Sequence, residues 1–295
     1  MIQSRTWHTR AADLLIYAVI ALIALTSLAP ILNTLAISLS SGLRAGAGQV
    51  TFYPKDFTFA AYHKIIEDRE FYRAFLISVK RVLLGTSISL AVSILMAYPL
   101  SREPRDFGLR TPYMWAVVFT MMFNGGLIPT YMTVRDLNMI DTIWALVLPG
   151  AVSAFNVILL VNFFRGIPKE IEESASMDGA GPWYMLFRMY LPLSLPVIAT
   201  VTLFVIVGHW NSFFDGLIYN NRPEHYPLQT YVQQLVVKID PTRVLTFDEL
   251  QELKTLSDKT LNAAKIFVTM IPVMVVYPFL QKYFITGIML GSVKE

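Results

Sequence analysis

The chain predicts an all-α membrane protein, a single domain of six transmembrane helices, and three observations lead there. It is 55% hydrophobic over 295 residues and only 15% charged, against about 25% charged in ordinary soluble proteins. A soluble fold has nowhere to place that apolar surplus, and the mean hydropathy of +0.51 restates it. Apolar runs close to the length of a helical span, about 20 residues, alternate with polar stretches along the whole chain. Cysteine is absent, which excludes a disulfide scaffold, a Cys-ligated metal and thiol chemistry, and leaves the redox compartment open. A net charge of +3 is small for this length and gives no sign of nucleic-acid binding.

Taken in order, residues 1–12 are polar, with Arg5 and Arg10 ahead of the apolar run 14–37. This resembles the basic and apolar parts of a signal peptide. The run exceeds the usual signal length and no small-x-small site follows cleanly, so a retained first span is expected. Pro30 kinks such a helix, which bundles tolerate. Residues 41–73 read as an exposed loop with a short helix near Ala60–Glu67. The second span is 75–100, with Lys80 and Arg81 in its first turns; they snorkel to headgroups or line a watery vestibule. A short loop bearing Arg102, Arg105 and Arg110 leads to a third span, 113–134, broken at Phe123-Asn124-Gly125-Gly126-Leu127-Ile128-Pro129. Backbone freed there survives at membrane depth only when buried in protein or facing water. A turn over Arg135–Asp141 precedes span four, 143–164; span five is 191–218, a second polar loop 219–261, and span six 262–285 with Pro272 and Pro278. Basic residues occur at about equal density on the two sides, so the positive-inside rule gives only faint support for an orientation.

Between spans four and five lies a charged island, 167–196, reading IPKEIEESASMDGAGPWYMLFRMYLPLSLP. Pro168 suits a first helical turn, where its missing N–H costs nothing. Glu170, Glu172 and Glu173 place negative charge at the positive helix end. Ser174, Ala175 and Ser176 are small and permit close approach of another surface, and Gly179 supplies a left-handed stop. Gly181-Pro182 opens a second short helix carrying Trp183, Met185, Leu186, Phe187 and Met189. The expected form is a helix–turn–helix on the membrane surface, tied to spans four and five. Spacing alone leaves it as either an amphipathic cap or a docking handle.

Glu173-Ser174-Ala175, then Asp178-Gly179-Ala180, then Leu191-Pro192 and Pro196 resemble the EAA motif of ABC importer permeases. Ser174 departs from the usual Ala but is nearly as small. The six-span layout and the tail Gly287-x-x-x-Gly291-Ser292-Val293-Lys294 resemble the maltose-type sugar permeases. Phe123–Pro129 and Trp210-Asn211-Ser212-Phe213-Phe214 resemble a branch that imports oligo- and polysaccharides, although that branch usually has Ser where Asn124 stands. Alginate and other uronate oligomers are among the substrates the resemblance implies.

The resemblance further implies a multi-pass permease of the bacterial inner membrane with both termini cytoplasmic. The expected coupling surface is Glu172, Glu173, Ser174, Ala175, Asp178, Gly179 and Ala180, docked on a cytoplasmic ATPase. ATP and Mg²⁺ belong to that partner, since this chain has no G-x-x-x-x-G-K-[ST] loop. The implied assembly has two ATPase subunits, a second homologous permease and an extracytoplasmic solute-binding protein. The tail Gly291, Ser292, Val293, Lys294 and Glu295 is expected near the ATPase, and loop 219–261 toward the binding protein. For the sugar path, the polar and aromatic residues within spans are the candidates: Asn124, Asn156, His209, Trp210, Asn211 and Asp215. Helix–helix hydrogen bonding accounts for single Asn residues equally well.

Alternatives are an ion-coupled secondary transporter, which needs repeats and paired broken helices, and an ABC permease for a non-sugar solute. A membrane hydrolase is disfavoured: His8, His63, His209 and His225 are scattered and no HExxH occurs. No cofactor, metal site or catalytic residue is expected in this chain.

Overall fold

Sustained apolar sequence becomes helix almost throughout the computed structural model, which describes residues 7–237 and 258–292. Contacts group into two compact units, one drawn from 1–69 and 234–271, the other from 70–233 and 272–295.

The first unit holds α1 (Trp7–Ser38), α2 (Gly42–Gly46), α3 (Ala60–Glu67) and the first part of the long helix α15 (Asp258–Ser292). The apolar stretch of α1 is exposed on every face, as suits a helix solvated by hydrocarbon. Two hydroxyls in it are satisfied within the helix: Thr26 and Ser27 donate to carbonyls one turn back at 2.7 and 2.9 Å. Ala36, Ala45 and Val50 form a small core, and Ser38 and Tyr62 share a 2.8 Å hydrogen bond. Lys265 on α15 pairs with Asp68 at 2.6 Å, largely out of solvent.

The second unit begins with α4 (Arg69–Ser101), whose 33 residues rise about 50 Å at 1.5 Å each. α5 (Arg110–Met122) and α6 (Leu127–Asp136) follow, bent by 115° at the Phe123–Gly126 break. Then come α7 (Ile143–Val147), α8 (Ala154–Arg165), α9 (Lys169–Met177), α10 (Pro182–Met185) continued by a π-helical turn (Leu186–Tyr190), α11 (Leu191–Leu193), α12 (Leu195–Asn211), α13 (Phe214–Tyr219) and the first part of α14 (Leu228–Val237). The core gathers Ala97, Tyr98 and Leu100 of α4, Val157, Leu160 and Phe164 of α8, Leu186 and Tyr190 of the π turn, and Val197 and Val201 of α12.

Two expected spans are interrupted. The run 143–164 breaks between α7 and α8, because Pro149 has no N–H to continue the ladder and Gly150 follows it. Span five turns by 81° at Ser194, between Pro192 and Pro196, and stops again at Ser212-Phe213 before α13. Among the described residues three helices are long and apolar enough to cross a membrane, or up to five when each bent pair is one span, and α8 is shorter. The loop 41–73 contains α2 and α3, with α4 already begun at Arg69. Of 219–261, residues 238–257 lie outside the described residues, as do Val293, Lys294 and Glu295 of the tail; Gly291 and Ser292 end α15.

Candidate functional site

The island folds into an elbow. Pro168 caps α9 from just outside it with an extended ψ of 134°, one place before the expected first turn. At the far end Gly179 has φ +79°. Its N–H donates to Ser176 O at 3.0 Å and the N–H of Ala180 to Ala175 O at 2.9 Å. That pair of bonds is a Schellman stop, and the left-handed residue it requires is one that glycine adopts without a Cβ penalty. α10 then departs in a new direction, starting on Pro182.

α9 is attached through Glu172. Its carboxylate forms an ion pair with Arg102 from the end of α4 and accepts a 2.8 Å bond from the Tyr190 hydroxyl. The Arg102 guanidinium lies 4.5 Å from the Tyr98 ring and 5.1 Å from the Tyr190 ring. Tyr98, Tyr190 and Phe164 pack edge to face around it. Lys169 pairs with Glu103, which holds the Glu103 carboxyl below the usual carboxylate range, Arg105 adding to the effect. Glu173, Ser174 and Asp178 are exposed, Met177 is 90% exposed, and Trp183, Tyr184 and Phe187 stand clear of the packing. Ala175 is buried, and Ala180 half-buried. The motif is thus divided: Glu172 points into the chain, while Glu173 has no ion-pair partner among the described residues.

A cavity of about 650 Å³ lies in the same unit, lined by α4, the α7–α8 break, α12 and α13. Arg81 enters it from α4 and Asp215 from α13. They form an ion pair, and Arg81 Nη1 reaches Asp215 Oδ1 at 3.2 Å and Ser212 O at 3.2 Å. Ser212 Oγ and the Gly216 N–H also donate to Asp215, at 2.8 and 2.9 Å. Asn156 and His209 border the cavity. The His209 ring lies against Gly85 so closely that a Cβ there would overlap it, so glycine is what lets α12 approach α4 at this level.

Of the residues anticipated for a sugar path, Asn156, His209 and Asp215 share this cavity. Trp210 instead is buried and packs edge to face on Phe75 at 5.8 Å, because its ring points one step around α12 from His209. Asn211 is exposed and outside the lining. Asn124 is also exposed, its Oδ1 accepting the Gly126 N–H at 2.8 Å and so shaping the α5–α6 break. Arg81 does not snorkel: Asp215 draws it inward. Phe155 and Phe204, with ring centroids 6.1 Å apart, complete the lining and were not anticipated.

A second polar tie lies at the turn before α7. Asp141, with φ +62°, accepts the N–H groups of Asn221 and Arg222 at 2.7 and 3.3 Å. Burial opposes its ionisation, but those two N–H donors and the nearby His225 outweigh it and hold the carboxyl below the usual range. His225 Nδ1 is 3.5 Å from Asp141 Oδ1, close enough for charge attraction when protonated. A carboxyl with a lowered folded-state pKa stabilises above its unfolded pKa and loses that contribution as pH falls through the folded one. Asp141→Asn keeps a residue that tolerates the left-handed region but removes the charge. Its thermal denaturation midpoint should therefore fall less than the parent's between pH 6 and the acid range of about pH 3; identical profiles would remove this tie from the account.

Apolar helices around a cavity that holds a buried ion pair, with an exposed elbow joined to them, are the architecture of a membrane-embedded subunit. Among the described residues no cluster of His, Asp and Glu suits a metal ion. Residues 75–230 match the family described as the inner membrane component of binding-protein-dependent transport systems. The chain belongs to this family. YtcP, a polygalacturonan/rhamnogalacturonan transport system permease protein of Bacillus subtilis (strain 168), is 40% identical over 285 residues, 97% of this chain and 99% of that protein. Protein LplC of the same organism is 38% identical over 265 residues, 90% of this chain and 88% of that protein. A chain in the crystal structure of a bacterial ABC transporter involved in the import of the acidic polysaccharide alginate superposes with a TM-score of 0.86 at 32% identity, covering 95% of this chain and 98% of that one. The protein is an ABC permease subunit of the inner membrane, similar to permeases of sugar and polysaccharide importers, and such subunits are not themselves enzymes.

Proposed function

We propose that this chain forms half of the translocation path of an ATP-driven, binding-protein-dependent importer of uronate-containing oligo- or polysaccharide. The observation that carries the substrate class is that YtcP, named for polygalacturonan and rhamnogalacturonan, and the alginate importer chain both align with nearly all of this chain. Both names denote acidic polysaccharides. A cavity of about 650 Å³ with Arg81, Asp215, Asn156 and an aromatic pair suits such a cargo: rings meet sugar faces, and amide and charged groups meet hydroxyls and carboxylates.

The elbow is the coupling element. Glu173, Ser174, Ala175, Asp178, Gly179 and Ala180 form the surface offered to a cytoplasmic ATPase, and Glu172 anchors that surface to α4. This orientation puts both termini in the cytoplasm and the stretches 41–73 and 219–261 outside, the latter toward the solute-binding protein. Two ATPase subunits carry ATP and Mg²⁺, and a second homologous permease completes the path. Gly291 and Ser292, at the end of α15, lie near the ATPase in this reading. ATP-driven closure of the ATPase pair moves the elbow as a rigid piece and switches the paired permeases between inward-open and outward-open states.

The test is ATP hydrolysis by the reconstituted importer in proteoliposomes with its binding protein, across neutral and uronate oligosaccharides. Oligogalacturonates or alginate oligomers should stimulate hydrolysis at least several-fold, about 1 kcal/mol of barrier or more. Stimulation by neutral sugars alone would overturn the uronate assignment.

A further inference from the structure

We propose that Arg81 is a carboxylate-exchange subsite: Asp215 occupies it in the empty path, and a uronate carboxylate of the cargo replaces Asp215 during transit. The proposal rests on the uronate reading above and names the residue that recognises the acid.

Four observations carry it. The Arg81 side chain is 3% exposed, so its charge needs an anion in every state of the protein; a buried guanidinium left alone is strongly unfavourable. Its Nε has no hydrogen-bond partner, so the donor fork is incompletely used and has capacity for a second carboxylate geometry. Asp215, by contrast, is 23% exposed and is also held by Ser212 Oγ and the Gly216 N–H. It can release the guanidinium without becoming an orphaned charge. The two partners also differ in their supports. Arg81 sits within the unbroken helix α4, whereas Asp215 sits on the six-residue α13, separated from α12 by the break at Ser212-Phe213. A fixed cation and an anion on a short, separate segment are the arrangement an exchange requires.

Nothing in the exchange makes or breaks a covalent bond. One carboxylate leaves the guanidinium as another arrives; Asp215 stays on its Ser212 and Gly216 donors, so the site holds one additional carboxylate while the cargo is bound. Phe155 and Phe204 border the same cavity and offer ring faces to the sugar that carries the arriving carboxylate.

A tie that only joins α4 to α13 affects an acidic cargo and its ester alike when it is disturbed, whereas a subsite for an anion distinguishes them. The test is therefore the charge swap Arg81→Asp with Asp215→Arg, in the whole importer with its binding protein. Assembly is read by co-purification, and uptake is measured with trigalacturonate and with its methyl ester. The swapped complex should assemble, import the acid at least tenfold more slowly than the parent, and show an acid-to-ester ratio lowered at least tenfold. Parental uptake of the acid with an unchanged ratio would overturn the subsite and leave a structural pair.

If the swapped chain fails to assemble, Arg81→Lys decides. It keeps the charge but loses the planar fork, so the KM for the acid should rise several-fold while that for the ester stays put. Equal changes for both substrates overturn the proposal. A parent importer that carries neutral oligosaccharides but neither alginate oligomers nor trigalacturonate refutes the uronate reading itself, a result distinct from loss of the subsite.

Discussion

A chain carrying Gly179→Val should assemble with its partners and lose at least about 90% of binding-protein-stimulated ATP hydrolysis and sugar uptake, the tenfold worth ~1.4 kcal/mol of barrier. Assembly should persist because no atom lies within 4 Å of where a Cβ would stand at Gly179, so the new side chain displaces nothing inside the chain. The cost falls on the backbone. At φ +79° an ordinary L-residue pays about 1–2 kcal/mol, and a β-branched one is still less tolerant. Relieving that strain unwinds the Schellman stop, which frees the Ala175 and Ser176 carbonyls and loses the angle between α9 and α10. Gly179→Asn separates the causes, because Asn enters the left-handed region readily yet still adds bulk. An inactive Val chain beside an active Asn chain assigns the effect to the elbow's angle. Two inactive chains assign it to bulk at the docking surface. Parental coupling in both would end the elbow's role in coupling.

The elbow was the most legible part of the molecule because its signals are local. A proline before the helix, small residues at its centre and a glycine after it act within a few positions, and α9, the stop at Gly179 and the start at Pro182 follow from them. The break after Phe123 was legible for the same reason, and so was the short helix Ala60–Glu67. Less legible was the break between α7 and α8, since the apolar run 143–164 masks the effect of Pro149-Gly150. Hidden altogether were the pairings. Arg81 and Asp215 stand 134 positions apart, and Arg102 and Glu172 stand 70 apart, and no periodicity links them. Trp210 shows the same limit in reverse. An indole among polar neighbours suited a sugar path, yet residues 209 and 210 point in different directions on α12, and packing against Phe75 claimed the second.

These long-range pairs explain why Glu172 and Glu173, adjacent in the motif, have different duties. A helix turns about 100° between successive residues, so one carboxylate reaches Arg102 and the next stays exposed without an ion-pair partner among the described residues. The inward one decides whether a force on α9 reaches the bundle. The outward one is left for another protein.

Removing the inward anchor should uncouple the machine rather than dismantle it. In Arg102→Ala the Glu172 carboxylate loses its cation, and Tyr98 and Tyr190 lose the guanidinium lying 4.5 and 5.1 Å from their rings. The pair is partly shielded, with side chains 13% and 30% exposed. Its loss should therefore cost less than the 3–5 kcal/mol of a fully buried pair, about 2 kcal/mol, with roughly 1 kcal/mol more from the cation–π contacts. Glu172→Gln should be milder, because its amide oxygen can still accept from Arg102 and the Tyr190 hydroxyl. Since the two side chains touch, the double variant should fall short of additivity by about 1–2 kcal/mol. The decisive readout is the number of ATP molecules hydrolysed per sugar imported. A lever that slips at α4 raises that ratio severalfold in Arg102→Ala, while ATP hydrolysis itself persists. A pair that serves only stability lowers the denaturation midpoint and leaves the ratio where it was, and that outcome would return the Arg102–Glu172 contact to the role of a cap.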